Sequence, residues 1–160
     1  MAEDQYPQLH LDNQLCFSVY TLSRLITQAY QPMLQALGLT YPQYLVMLVL
    51  WQALEKGRSA AQGALPVTVK FLCEQLQLDT GTVTPLLKRM ESNGLLVRRR
   101  SATDERVVEV DLTDTGKMLR EQAKDIPTDI LCQTGVDIEQ GKALRDELKG
   151  LIRQLAAQRS

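Results

Sequence analysis

Residues 69–113, VKFLCEQLQLDTGTVTPLLKRMESNGLLVRRRSATDERVVEVDLT, hold the pattern that decides the fold. In VKFLCEQLQ, residues Val69, Leu72, Cys73 and Leu76 fall at i, i+3, i+4 and i+7, the spacing of a helix with one buried face. After the turn LDTG, residues Val83, Leu86, Leu87 and Met90 repeat that spacing in TVTPLLKRMESNG. The opposite face of this second helix, with Thr82, Thr84, Pro85, Lys88 and Arg89, therefore points outward. Asp79 or Thr80 is placed to cap its first amides, and Asn93-Gly94 supplies a left-handed stop. Pro85 lies close enough to the helix start for its missing amide to cost little. Next come LLVRRR, a polar tip SATDER and VVEVDLT, in which Val108, Glu109, Val110 and Asp111 alternate as in a half-exposed strand. The order is helix, turn, helix and a two-stranded wing.

Charge sharpens this reading. The 160-residue chain has a formal net charge of -1, which argues against general affinity for nucleic acid. Between Thr84 and Arg100, however, Lys88, Arg89, Arg98, Arg99 and Arg100 face only Glu91, a local excess of +4. Binding to duplex DNA is then expected on one surface only, and to weaken with salt. At the hairpin tip, Arg106 suits a narrow minor groove, with Asp104 as a carboxylate able to hold its guanidinium. A solvated turn is the plain alternative for the tip.

Helical segments flank this device. Asp12 is placed to cap a helix from about Asn13 to Leu37, which Pro32 should bend or divide. Thr40-Tyr41-Pro42 opens a second helix, from Pro42 to about Leu54. Residues 55–66 read as a polar loop broken by Gly57, Ser59, Gly63 and Pro66. Beyond the wing, Thr113 caps a helix to about Lys124, Pro127 interrupts it, and Asp137 starts a last helix carrying Leu144, Leu148, Leu151, Ile152 and Leu155. The expected fold is mainly α with a small β-wing. It comprises an N-terminal helical dimerisation region (1–42), a winged helix-turn-helix (43–113) and a C-terminal helical dimerisation region (114–160). The apolar faces of the first and last helices have no obvious partner in so small a domain, so a second copy is expected to cover them. A twofold dimer also sets two reading helices about 34 Å apart, matching a pseudo-palindromic site.

The stretches LDNQLCFSVYTLSRLIT, YQPMLQALGLTYPQYLVMLVLW, LDTGTVTPLLKRMESNGLLVRRR and DERVV resemble successive signatures of the MarR family of winged-helix regulators, and within it of the organic hydroperoxide resistance regulators. The resemblance covers nearly the whole chain. Cys16 lies in the first turns of the first helix, at the edge of an apolar stripe through Leu15, Val19, Leu22 and Ile26. Only a thiolate attacks a peroxide efficiently, and a helix N-terminus favours that anion. The ordinary fate of a free cysteine is burial as a small hydrophobe. The resemblance implies instead that Cys16 senses organic hydroperoxide, with Tyr30 and Tyr41 of the other subunit donating hydrogen bonds to it. Tyr30 is fourteen residues from Cys16, about 21 Å along a continuous helix, and so hardly reaches it in its own chain. Tyr20 and Phe17 are nearer candidates for lining the pocket. Two-cysteine members carry a resolving cysteine late in the chain, a role that falls to Cys132 and implies an intersubunit disulfide. The alternative is that Cys132 packs beside Ile130 and Leu131. Cys73, on the inward stripe, reads as core.

Other chemistry finds little support. One histidine, His10, leaves no base for a catalytic triad, and three widely spaced cysteines without CxxC argue against structural zinc. No cofactor and no enzyme activity are expected. The N-terminus lacks a secretory pattern, and the longest apolar run, Tyr44 to Leu54, is about half of what a bilayer needs, so a cytoplasmic location is expected. The expected function is a peroxide-sensing repressor. A regulator answering to a phenolic ligand, or a thiol peroxidase, are the alternatives.

Overall fold

The computed structural model describes residues 6–58 and 65–158. Residues 59–64 of the expected loop lie outside the described residues. The chain divides into two compact units, 1–124 and 125–160.

The first unit begins with two short 3-10 turns, Pro7–Leu9 and Leu11–Asn13. Side-chain amides stitch them together: Asn13 donates to the Pro7 carbonyl at 2.8 Å, and Gln14 to those of Gln8 and His10 at 2.6 and 3.0 Å. Helix α1 comes next (Leu15–Ala36), with Gln14 at its N-cap. Asp12 does not cap it, because a 3-10 turn occupies that residue and starts the helix too far along the chain for its carboxylate. Nor does Pro32 divide α1. Proline here withdraws a donor from the Gln28 carbonyl, but both residues are accessible to water, which can replace it.

Helix α2 (Tyr41–Glu55) starts at Thr40, whose backbone amide donates to the Gln43 side chain at 2.9 Å. It forms the spine of the unit, with Tyr44, Val46, Met47, Leu50, Trp51 and Ala53 all buried. Helices α3 (Val69–Leu76) and α4 (Thr80–Ser92) pack against it as the expected helix pair. Leu72 of α3 and Val83, Leu87 and Met90 of α4 enter the core. Strands β1 (Leu96–Arg100) and β2 (Val108–Leu112) make an antiparallel wing, with Leu96 opposite Leu112 and Arg100 opposite Val108. A stub that the sequence pattern does not announce joins the wing. Thr68 bridges to Glu109, and the Val110 amide donates to the Val67 carbonyl at 2.8 Å. The run from Leu65 to Thr68 has a proline and too few alternating residues to register as a strand.

Helix α5 (Asp114–Ala123) closes the unit, its Thr113 cap accepting from the Gly116 amide at 3.1 Å. Gly116 sits where any Cβ would lie 2.1 Å from the Leu95 carbonyl oxygen, so only glycine permits this approach. The second unit holds α6 (Ile126–Thr134) and α7 (Ile138–Ala157). Pro127 does more than interrupt: it sits in the first turn of α6, where its missing amide is harmless. Asp137 caps α7 by accepting from the Gln140 amide at 2.9 Å.

Each unit has a helix with exposed apolar residues. Along α1 only Leu34 is fully buried, while Leu15, Val19, Leu22 and Leu25 are exposed. On α7, Ile138, Leu144, Ile152 and Leu155 are exposed as well.

Candidate nucleic-acid interface and thiol site

The outward face of α4 presents the residues its periodicity assigns to it. Thr82, Pro85, Lys88 and Arg89 are exposed, and Thr84 is half-buried. Asp79 anchors the start of the helix, accepting from the Thr82 amide and hydroxyl, each at 2.9 Å. Those two bonds hold the Asp79 carboxyl below the usual carboxylate range. Lys88 and Arg89 form no ion pair among the described residues, so both cations are available to phosphate.

Arg98 is different. Its guanidinium grips Glu91 at 2.7 and 3.0 Å, and its backbone amide donates to the same carboxylate at 2.8 Å. These bonds push the Glu91 carboxyl down and pin β1 to the end of α4. Sequence alone places Glu91 and Arg98 only in a charge count; their pairing depends on the chain reversal at Gly94, where φ is +73°. At the wing tip, Arg100 donates to the Glu105 carbonyl at 2.6 Å. Asp104 accepts from the Arg106 backbone amide at 2.9 Å, so its carboxylate fixes the turn and does not hold the Arg106 guanidinium. The Arg106 side chain stays exposed. Between α3, α4 and the wing lies a groove of about 660 Å³, bordered by Thr84, Arg98, Arg106 and Val108. Cys73 also lines it, half-buried and 3.8 Å from the Thr80 hydroxyl, which corrects its assignment to the core. On so short a helix only Leu72 is fully covered, and the flank of the stripe opens to the groove.

The thiols and phenols lie elsewhere. Cys16 is exposed as the second residue of α1, and no side chain caps that helix start. Phe17 and Tyr20 beside it are exposed too. At the far end of α1, Tyr30 meets Tyr41 edge-on, with ring centroids 5.2 Å apart. The unbroken helix leaves this pair about 21 Å from Cys16 along its axis. The fold thus joins Tyr30 to Tyr41 but joins neither to Cys16 within one chain. Burial raises both phenol pKa values, with Tyr41 adding to the shift at Tyr30, so both groups remain hydrogen-bond donors at neutral pH. Tyr44 is a residue that sequence reasoning misses. Its ring lies tilted against both, with centroids 5.7 Å from Tyr30 and 6.4 Å from Tyr41, and its pKa is pushed to about 12 by burial and by those two neighbours. The available clue is its place three residues after Tyr41, on the same face of α2. A hollow of about 280 Å³ opens beside Tyr41, bordered by Thr27, Gln28, Gln31 and Leu34. In the second unit, Cys132 is exposed on α6 while Ile130 is buried, so it is not packed as an apolar residue. Among the described residues, no three His, Cys, Asp or Glu side chains are grouped to hold a metal ion. No single helix among them is long and apolar enough to cross a membrane.

A helix pair with a cationic outward face, followed by a pinned β-wing, defines a winged-helix DNA-binding protein. The sequence profile of the transcriptional regulator SarA/Rot family matches residues 28–123. The organic hydroperoxide resistance transcriptional regulator of Bacillus subtilis is 46% identical over 144 residues, covering 88% of this chain and 90% of its own. The regulator MgrA of Staphylococcus aureus is 36% identical, covering 92% of this chain and 89% of its own. Among solved structures, AbfR of Staphylococcus epidermidis superposes with a TM-score of 0.72 at 36% identity, covering 94% and 96% of the two chains. The chain belongs to the MarR and SarA/Rot type of winged-helix transcriptional regulators, and within it is similar to the organic hydroperoxide resistance regulators.

Proposed function

We propose that this DNA-binding regulator is a repressor that releases its operator when organic hydroperoxide oxidises Cys16. The observation carrying this reading is the separation within one chain of an exposed thiol at the start of α1 from a paired, protonated Tyr30 and Tyr41 at its end. Two copies with antiparallel α1 helices bring each thiol to the other's phenols, and the same pairing covers the exposed apolar stripe of α1. In such a homodimer, two α4 helices enter successive major grooves of duplex DNA. Thr82, Thr84, Pro85, Lys88 and Arg89 then face bases and phosphates, and Arg106, set by the Asp104 turn, reaches the minor groove.

The chemistry balances without a cofactor. The Cys16 thiolate attacks one peroxide oxygen and the O–O bond breaks. The alkoxide leaves and takes up a proton to become an alcohol, while sulfur, oxidised by two electrons, becomes a sulfenic acid. The Cys132 thiol of the partner subunit then displaces water from that sulfenic acid to give a disulfide. Tyr30 and Tyr41 lose their bonds to the thiolate, and the reading heads leave register. Phe17 and Tyr20 give the site an apolar rim that suits an organic peroxide. AbfR has been solved both reduced on DNA and in a disulfide form, which supports a thiol trigger in this fold.

An operator-binding assay with cumene hydroperoxide tests the reading. Wild type is expected to release DNA and Cys16→Ser to stay bound. Cys132→Ser is expected to respond but to recover differently when thiol is added. Release by Cys16→Ser equal to that of wild type would remove the sensor assignment and favour a small-ligand trigger. Catalytic, not stoichiometric, consumption of peroxide would instead mark a thiol peroxidase.

A further inference from the structure

The aromatic contacts do not end at the phenol pair. Tyr44 touches Tyr30 and Tyr41 on one side, and on the other meets Trp51 edge-on at 6.4 Å. Tyr44 and Trp51 are 2% and 5% exposed, so neither ring can shift without moving its neighbours. The Trp51 indole N–H donates to the Gly116 carbonyl at 2.9 Å. Gly116 in turn lies against the Leu95 carbonyl, which also accepts from the Thr113 amide at 3.1 Å, and the Thr113 hydroxyl donates to the Gly94 carbonyl at 2.6 Å. Gly94 and Leu95 are the residues from which β1 springs. A chain of direct contacts therefore runs from the two phenols, through one face of α2 and the start of α5, to the root of the wing.

We propose that Tyr44 and Trp51 are positioning residues that tie the Tyr30–Tyr41 pair to the wing, so that a change in the phenols' hydrogen bonding alters the wing's seating on DNA. The inference rests on the redox reading above, with Tyr44 bracing the phenols and the Trp51–Gly116 bond transmitting their position. Neither residue touches peroxide or DNA. Two packed rings and one buried hydrogen bond suit this task because they have few alternative arrangements. An aliphatic contact of the same volume would absorb a shift by changing rotamer.

The test measures operator affinity of reduced and peroxide-treated protein for wild type, Trp51→Phe and Tyr44→Leu, alongside the rate of Cys16 oxidation. Trp51→Phe keeps a ring but removes the N–H. Its Cys16 should oxidise at the wild-type rate and its reduced form should bind the operator as wild type does. The ratio of oxidised to reduced Kd should fall about tenfold. Tyr44→Leu should lower the same ratio and also slow Cys16 oxidation, because the phenols lose their brace. A purely structural role would lower Tm and weaken both redox forms alike, leaving the ratio intact, and that result overturns the proposal. A second measurement needs no variant at Trp51, which is the sole tryptophan of the chain. Its fluorescence should change when wild type is oxidised and stay constant in Cys16→Ser, and an unchanged signal in oxidised wild type overturns the proposal. If wild type keeps its operator under peroxide, or Cys16→Ser releases it, the redox reading has failed instead.

Discussion

Glu91 shows how one carboxylate serves both halves of the reading head. Three donors from Arg98 meet it where α4 ends and the wing begins. Glu91→Gln keeps the shape and removes the charge, so it should cost about 1 kcal/mol at neutral pH. A depressed carboxyl stabilises the fold above its unfolded value and loses that contribution as protons return. The difference in thermal stability between wild type and Glu91→Gln should therefore shrink as pH falls below about 4.3. The phenols have the opposite sign. Raised values at Tyr30, Tyr41 and Tyr44 mean that the folded state holds its protons longer, so this contribution to stability should decline as pH rises above about 10. An ultraviolet titration should find Tyr44 ionising at about 12. On DNA, Lys88→Ala should weaken binding to all sequences and lower the salt slope by about 1, as measured by anisotropy at several ionic strengths. Arg106→Ala should cost about 1–3 kcal/mol and relax any preference for A·T pairs beneath the wing. The outward placement of Lys88 and its neighbours on α4 is legible because helical period alone separates them from Val83, Leu87 and Met90. The Arg98 pairing is not, because sequence spacing does not show which cations a turn will bring to a carboxylate.

At the scale of elements, the junction of β1 and α5 is the most demanding contact. Thr113 caps α5 and also donates to the Gly94 carbonyl, so Thr113→Ala should destabilise the protein by about 1–2 kcal/mol in chemical denaturation. Gly116→Ala forces a methyl group onto the Leu95 carbonyl and should cost at least as much, about 1–3 kcal/mol, with a shifted wing. Helix identities are readable from periodicity, and Asp79, Thr113 and Asp137 are readable as caps. Asp12 misleads because its residue type suits a cap, whereas the side-chain amides of Asn13 and Gln14 bond backward to the preceding turns and delay the helix. Pro32 does not divide α1, because the cost of an interior proline depends on whether water can reach the orphaned carbonyl, and that is a property of the packed surface.

At the scale of the whole molecule, the exposed apolar stripe of α1 fits the proposed pairing with a second copy. Leu22→Glu places a charge on the exposed stripe of α1 and should shift the protein toward monomer in sedimentation, with loss of operator binding at the same protein concentration. Wild type that sediments as a monomer at micromolar concentration would contradict the dimeric reading.

By itself the sequence determined the helix pair, the wing, the outward cations and the distance between Cys16 and Tyr30 along one helix, since each comes from a local period or spacing. Only the tertiary structure decided that Tyr44 and Trp51 extend the phenol pair, that Arg98 is committed to Glu91, and that Cys73 borders a groove. Those outcomes depend on where separate helices come to rest against one another. Local periodicity says which face of a helix is buried, but not which residues of another element bury it.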